Sequence, residues 1–334
     1  MAHPVYVNVF VVTELDVSLP TDKSASYKQS LTVQANVRQP FSPASCGKIC
    51  SYDYDFLEKG KYYPLLHKHV NCPNTFYRMA HSPYPVIQPP PRKPPTSLLK
   101  NFTIDGQCPI TLFWYLDHRS SVRNSNRQHF DAEKFRKLLE LDYKTNINVY
   151  HDNNVLKSAL LKYKHIIQGK RVAVIGTQTP WAEAMLVNLG AQSVITIEYG
   201  KLSIEHEKIT TTTPYRIAER FIKGQAAQFD TVFTYSSIEH SGLGRYGDPL
   251  TPYGDLEASA QVWCMVKPEG HFIMAVPVSH DRQKCSLVWN AHRVYGAVRL
   301  QHLTANWRVL EEFKTIESAG NRIYGHRIFM LQRV

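Results

Sequence analysis

Beyond residue 130 the apolar positions of this chain switch repeatedly between two periods. Short β-branched runs at 172–175, 194–197, 209–212, 230–235 and 271–276 read as buried strands. Between them the apolar residues recur every three or four positions, the spacing of helices with one buried face. Asp131 caps the first such helix, to 141, and a second covers 153–167. Thr179 and Pro180 open a third, stopped by Gly190, and Thr213 and Pro214 open a fourth, through 221. A fifth spans 256–266, where Pro268 and Gly270 end it and reset the chain, and runs at 307–313 and 326–331 form a final pair of strands. Strands separated by helices predict an α/β fold with a mostly parallel sheet and right-handed crossovers.

The first part of the chain follows no such rule. Residues 5–12 and 31–37 are β-prone, and 41–82 are rich in Tyr, Cys and His without clear periodicity. Seven prolines between 83 and 95 exclude a helix or central strand, which predicts an extended surface segment or linker. The chain therefore divides into an irregular, β-rich N-terminal region, 1–130, and an α/β domain, 131–334. No internal repeat is present.

Composition narrows the function classes. The net charge is +11, with 18 basic and 12 acidic side chains in residues 1–150 against 21 and 16 in the rest. An excess spread this evenly predicts a solvated basic surface and no nucleic-acid partner. No run of about 18 apolar residues exists, so no membrane span is expected. Residues 1–12 lack a basic segment ahead of their apolar run, which argues against a signal peptide and for the cytoplasm. Six cysteines and the glycosylation tripeptide Asn101-Phe102-Thr103 support the secretory lumen as the alternative. Cys46, Cys50, Cys72 and Cys108 could then form two disulfides within the N-terminal region; otherwise they are buried thiols. Their spacing is not that of zinc knuckles.

Candidate chemistry collects at the ends of the predicted strands. Gly176 and Thr177 follow the first strand as a tight turn into a helix, and Glu198 ends the second. In a Rossmann-like sheet such a turn approaches a nucleoside cofactor while the acid holds its ribose hydroxyls. A diphosphate needs more than one glycine here, so hydride transfer with a nicotinamide cofactor is disfavoured and S-adenosylmethionine fits better, with its carboxylate toward the turn amides. The fourth strand ends in Ser236 and Ser237, then Glu239 and His240, followed by a glycine-rich loop carrying Arg245 and Asp248. After the fifth strand come Asn290, His292, Arg293 and Tyr295. Histidine serves as a base near neutral pH and arginine holds anionic or polyhydroxylated groups. His240, Asp248, Asp255 and His292 have no spacing that demands a metal, and none is predicted.

Four strings, Gly176-Thr177-Gln178-Thr179-Pro180-Trp181, Ser236 to Leu250, Trp263 to Gly270 and Trp289 to Gly296, resemble class I S-adenosylmethionine-dependent methyltransferases. More closely they resemble an uncharacterised methyltransferase-like family catalogued as domain of unknown function 268. The resemblance covers roughly residues 150–334. It implies a Rossmann-like methyltransferase fold of seven strands with the last antiparallel. It implies cofactor contacts from Gly176, Thr177, Glu198, Ser236 and Ser237. The chain departs from the broad class in one place: Val174 and Ile175 precede a single glycine, where an acid and two or three glycines are usual.

The resulting expectation is methyl transfer to a hydroxyl of a small-molecule or glycan acceptor, a sugar or another hydroxylated compound. His240 or His292 would be the base, with Glu239 orienting it. Arg245, Asp248, Asn290, Arg293 and Tyr295 would hold the acceptor. The alternative is a catalytically inactive binding or scaffold protein on the same fold, motivated by the poor glycine turn.

Overall fold

The computed structural model describes residues 6–9, 37–40, 70, 72–81, 88–119, 128–141, 153–225, 228–315 and 324–334. Cys46, Cys50 and the first prolines of the 83–95 run lie outside them. Two short strands, β1 (Tyr6–Val9) and β2 (Val37–Pro40), pair antiparallel, β4 (Gln128–Phe130) pairs parallel with β7 (Leu202–Ile204), and α2 is the single turn Leu99–Phe102.

Seven strands build the central sheet: β5 (Arg171–Ile175), β6 (Ser193–Ile197), β8 (Ile209–Thr212), β9 (Phe229–Tyr235), β10 (Val266–Ser279), β13 (Trp307–Lys314) and β14 (Tyr324–Arg333). Their order is β13-β14-β10-β9-β5-β6-β8. Only β14 runs against its neighbours, β10 and β13. This is a Rossmann-like sheet of seven strands with the last antiparallel, the arrangement that the resemblance implies. The chain leaves β5 through β6 and β8, then returns to place β9 on the other side of β5. That reversal opens a crevice at the carboxyl ends of β5 and β9, where open α/β sheets bind ligands.

Both faces of the sheet are buried, because side chains alternate along each strand. Along β10, Phe272, Met274 and Val276 enter one apolar cluster and Ile273 and Ala275 the other. The first cluster is covered by helices α1 (Cys72–His81), α6 (Pro214–Ile222) and α7 (Gly254–Met265). The second is covered by α3 (Ala132–Glu140), α4 (Asn153–Lys162) and α5 (Trp181–Asn188). Asp131 and Thr213 cap α3 and α6 through Lys134 N–H and Arg216 N–H, as the sequence predicts. Thr179 does not cap α5: Pro180 takes the cap position, and the Thr179 carbonyl accepts from the Thr177 hydroxyl.

Three features depart from the sequence reading. Residues 72–81 form α1, whose Phe76 packs 4.4 Å from the Phe221 ring of α6. The Trp289–Gly296 string belongs to a hairpin of β11 (Ser286–Trp289) and β12 (His292–Val294), turning on Asn290 at φ 58°. Strand β3 (Ile110–Phe113) adds to it parallel to β11. The third concerns cysteine pairing. Cys72 bonds Cys264 and Cys108 bonds Cys285, so these four thiols are neither free nor paired within the N-terminal region; they tie it to the α/β domain. The described end of the proline run is anchored too: Pro90 is buried and the Pro91 carbonyl accepts from the Trp289 indole at 3.0 Å.

Candidate active site

The carboxyl ends of β5, β6 and β9 enclose a cavity of about 370 Å³, within the range of small-molecule sites. Gly176, Thr177, Glu198, Ser236, Ser237, His240, Arg245 and Asp248 line it. The sequence thus nominated one contiguous wall. Glu239, Asn290, His292, Arg293 and Tyr295 do not reach the cavity surface.

The first strand end is closed tightly. Gly176 has φ 72°, which favours glycine, and an added β-carbon would meet Ser237 Oγ at 1.8 Å. Its N–H donates to the Ile197 carbonyl at 3.0 Å. Thr177 N–H donates to Glu198 Oε2 at 2.8 Å and Gly200 N–H to Oε1 at 3.0 Å. These first two turn amides are therefore satisfied internally rather than turned to a cofactor carboxylate, which corrects the expectation for them. Burial raises the Glu198 carboxyl above its ordinary range, and N–H groups of Gly200, Thr177 and Tyr199 oppose the shift. Beneath it lies an acid the sequence reading missed. Glu183 is wholly buried on α5, accepts from the Thr196 hydroxyl at 2.8 Å and is pushed up to about 7 by desolvation.

The fourth strand end carries the polar cluster. Ser236, at φ 50°, donates to Glu239 Oε1 at 2.6 Å. Glu239 is fully buried, its Oε2 has no hydrogen-bond partner, and burial pushes it up to about 7. His240 Nδ1–H donates to the Ala291 carbonyl, which can only accept, so neutral His240 presents Nε2 as an acceptor. Glu239 Oε1 lies 3.7 Å from that Nε2. Burial brings His240 down to about 3; the Ala291 bond resists, and the charges of Arg245, His292 and Arg293 add to the fall. The His292 ring stands edge-on, 6.1 Å from His240, with its Nε2 buried and unpartnered. Burial, then Arg245, lowers His292 to about 4.

The glycine loop is held by side chains that the sequence pattern assigns to the acceptor. Asp248 accepts from the N–H groups of Gly242 (2.6 Å), Gly244 (3.2 Å) and Tyr246 (3.2 Å). Arg293 is buried and donates to the carbonyls of Glu239, Ser241, Thr251 and Pro252. Asn290 bridges Leu116 N–H and the Leu243 carbonyl. The Tyr295 hydroxyl donates to Asp255 at 3.0 Å, which Arg299 grips through two further bonds. Arg293, Asn290 and Tyr295 therefore build the loop's support instead of facing a ligand. A buried polar group must find partners, and here the backbone supplies them.

Arg245 does face the cavity. Its Nε donates to His118 Nδ1 at 3.2 Å and its guanidinium lies 4.8 Å from the Tyr246 ring centroid. His118 comes from the segment after β3, 127 residues away in sequence, and no local pattern announces it. The same segment places Trp114 edge-on to His292 at 6.2 Å. Among the described residues no cluster of three or more His, Cys, Asp or Glu side chains is placed to hold a metal ion. Among them, too, no helix is long and apolar enough to cross a membrane.

Residues 169–330 match the model of the family described as Caenorhabditis protein of unknown function, DUF268, the family the motif strings resemble. No curated protein matches the chain. Among solved structures it is similar to the Burkholderia thailandensis 1,6-didemethyltoxoflavin-N1-methyltransferase with bound 1,6-didemethyltoxoflavin and S-adenosylhomocysteine. That match has 12% identity and a TM-score of 0.39 over 54% of this chain and 77% of the other. It is similar as well to the N-methyltransferase NodS of Bradyrhizobium japonicum WM9 in complex with S-adenosylhomocysteine, at 13% identity and a TM-score of 0.37 over 60% and 97%.

Proposed function

We propose that this domain is an S-adenosylmethionine-dependent methyltransferase acting on a hydroxyl of a small hydroxylated acceptor, a sugar or glycan among them. The observation that carries the reading is Glu198: a carboxylate at the end of the second strand, facing the crevice and fixed by Thr177 N–H at 2.8 Å. A carboxylate so placed accepts both hydroxyls of a ribose, while Ser236 and Ser237 line the opposite side. The approach of Ser237 to Gly176 leaves little room for a pyrophosphate at the turn, which favours a cofactor without phosphates. The bound cofactor would supply an electrophilic methyl group on a sulfonium.

The chain's residues would then align the acceptor and take its proton. The acceptor hydroxyl that receives this methyl group would give up its proton to His240 Nε2, the ring nitrogen left as an acceptor by the Nδ1–H bond to Ala291. Glu239, whose Oε1 lies 3.7 Å from Nε2, orients the ring. His292 packs against His240 and acts through it. Two disulfides in the described residues favour an oxidising compartment.

Isothermal titration of the full chain with S-adenosylhomocysteine tests the reading. Binding is expected, weakened at least about tenfold by Glu198→Gln, because a charge-assisted hydrogen bond is lost. Folded protein that gives no heat with this ligand overturns it. A non-enzymatic binding module is the second reading, favoured by the internally satisfied turn amides. Binding of the cofactor without methyl transfer to any hydroxylated acceptor would support it.

A further inference from the structure

Arg245 is the one arginine or lysine among the described residues that line the cavity, and no carboxylate forms an ion pair with it. Its Nε is spent on a neutral imidazole nitrogen of His118, and its terminal nitrogens make no hydrogen bond among the described residues. The carboxylates around it are engaged elsewhere. Asp248 is satisfied by three loop N–H groups, Asp117 is paired with Arg119 at 2.6 Å, and Glu198 is tied to Thr177 and Gly200. Glu239 is buried behind Ser236. Every imidazole near it, His118, His240 and His292, is lowered by burial first and by Arg245 as a further cause. A guanidinium in a partly enclosed pocket is a carboxylate or phosphate receptor with directional donors.

We propose that the acceptor is a hydroxylated acid whose anionic group Arg245 holds, which makes Arg245 the residue that selects the acceptor. This rests on the methyl-transfer reading of the cavity and deepens it. The anion would do a second thing. By balancing Arg245 it would lift the depressed His240 toward the range in which imidazole accepts a proton. A neutral acceptor would leave His240 a poor base, so recognition and proton transfer would be coupled through one charge.

The experiment uses the full chain saturated with S-adenosylhomocysteine. Glucuronate and glucose are compared by titration calorimetry, and the histidine rings are followed by nitrogen NMR while sodium acetate is added against sodium chloride of equal ionic strength. His240→Gln identifies the signal of that ring. Glucuronate is expected to bind at least about tenfold more tightly than glucose, the worth of a hydrogen bond to a charged group. Acetate is expected to raise the His240 titration midpoint. Arg245→Gln should abolish both effects and Arg245→Lys should retain part of them, with cofactor-product affinity unchanged.

Equal binding of the two sugars together with a His240 signal indifferent to acetate overturns the proposal. So does an Arg245→Gln protein that loses S-adenosylhomocysteine but keeps its preference for glucuronate, since Arg245 would then hold the cofactor. Protein that ignores S-adenosylhomocysteine yet shows the Arg245-dependent acetate effect sustains the anion site and removes the methyl-transfer reading.

Discussion

Gly176 and Ser237 touch so closely that a β-carbon on the glycine would lie 1.8 Å from the serine hydroxyl oxygen and 2.6 Å from its β-carbon. The ends of the first and fourth strands meet there, on the floor of the cavity. The single glycine of the turn therefore serves the approach of Ser237 as well as a ligand.

Gly176→Ala should cost about 2–4 kcal/mol, combining the left-handed backbone at φ 72° with overpacking against Ser237. Adding Ser237→Gly should recover the overpacking share but not the backbone share. Denaturant unfolding of the two single variants and the double variant checks this. Additive losses would show that the contact is not what limits the site.

Asp255 is buried with Arg299 and Arg293, whose charges hold its carboxyl below the usual range against desolvation. Asp255→Asn leaves two buried guanidinium groups short of a partner and should cost about 3–5 kcal/mol. The sign with pH follows from the lowered value. The Asp255 contribution is complete above the unfolded carboxyl value and fades as pH falls through the folded one. Stability of wild type minus Asp255→Asn should therefore shrink only in acid, which unfolding curves from pH 7 to pH 3 would reveal.

Glu183 and Glu239 have the opposite sign. Both are pushed from 4.5 to about 7 by burial, so the folded protein binds protons there that the unfolded chain has released. Their contribution falls as pH rises from 4.5 to about 7 and is level above that, by up to about 3 kcal/mol each. Glu183→Gln and Glu239→Gln should flatten this slope. Chemical denaturation at pH 5 and pH 8 provides the comparison, and an unchanged slope in both variants refutes neutral carboxyl groups at these positions.

Peptide mapping without reduction should recover Cys72 linked to Cys264 and Cys108 linked to Cys285, across separations of 192 and 177 residues. Cys108→Ser should destabilise by about 2–5 kcal/mol. It should also loosen the β3 segment that brings His118 to Arg245, seen as faster hydrogen exchange at residues 110–118. Thiol labelling of all four cysteines in unreduced, folded protein would contradict the pairing.

The architecture was legible because it rests on local rules. Strands buried on both faces must be short apolar runs, helices between them must show a three-to-four-residue period, and a parallel sheet follows from their alternation. Gly176, Glu198, Ser236 and His240 could be nominated because they stand at strand ends, where this topology converges. Other features could not be read from local sequence. The direction of a polar side chain depends on what packs above it: Arg293 and Arg245 lie on segments of similar polarity, yet one is folded inward onto four carbonyls while the other faces the cavity. The β11–β12 hairpin turns on Asn290-Ala291, without the usual glycine, because Leu116 and Leu243 grip the asparagine side chain. Helix α1 gains its apolar face only against α6 and α7, and the cysteines choose partners that lie close only in the folded chain. Sequence alone set the elements and their order, since those depend on neighbours along the chain. The tertiary structure decided which charges are balanced within the protein and which remain to meet a ligand, since that depends on neighbours in space.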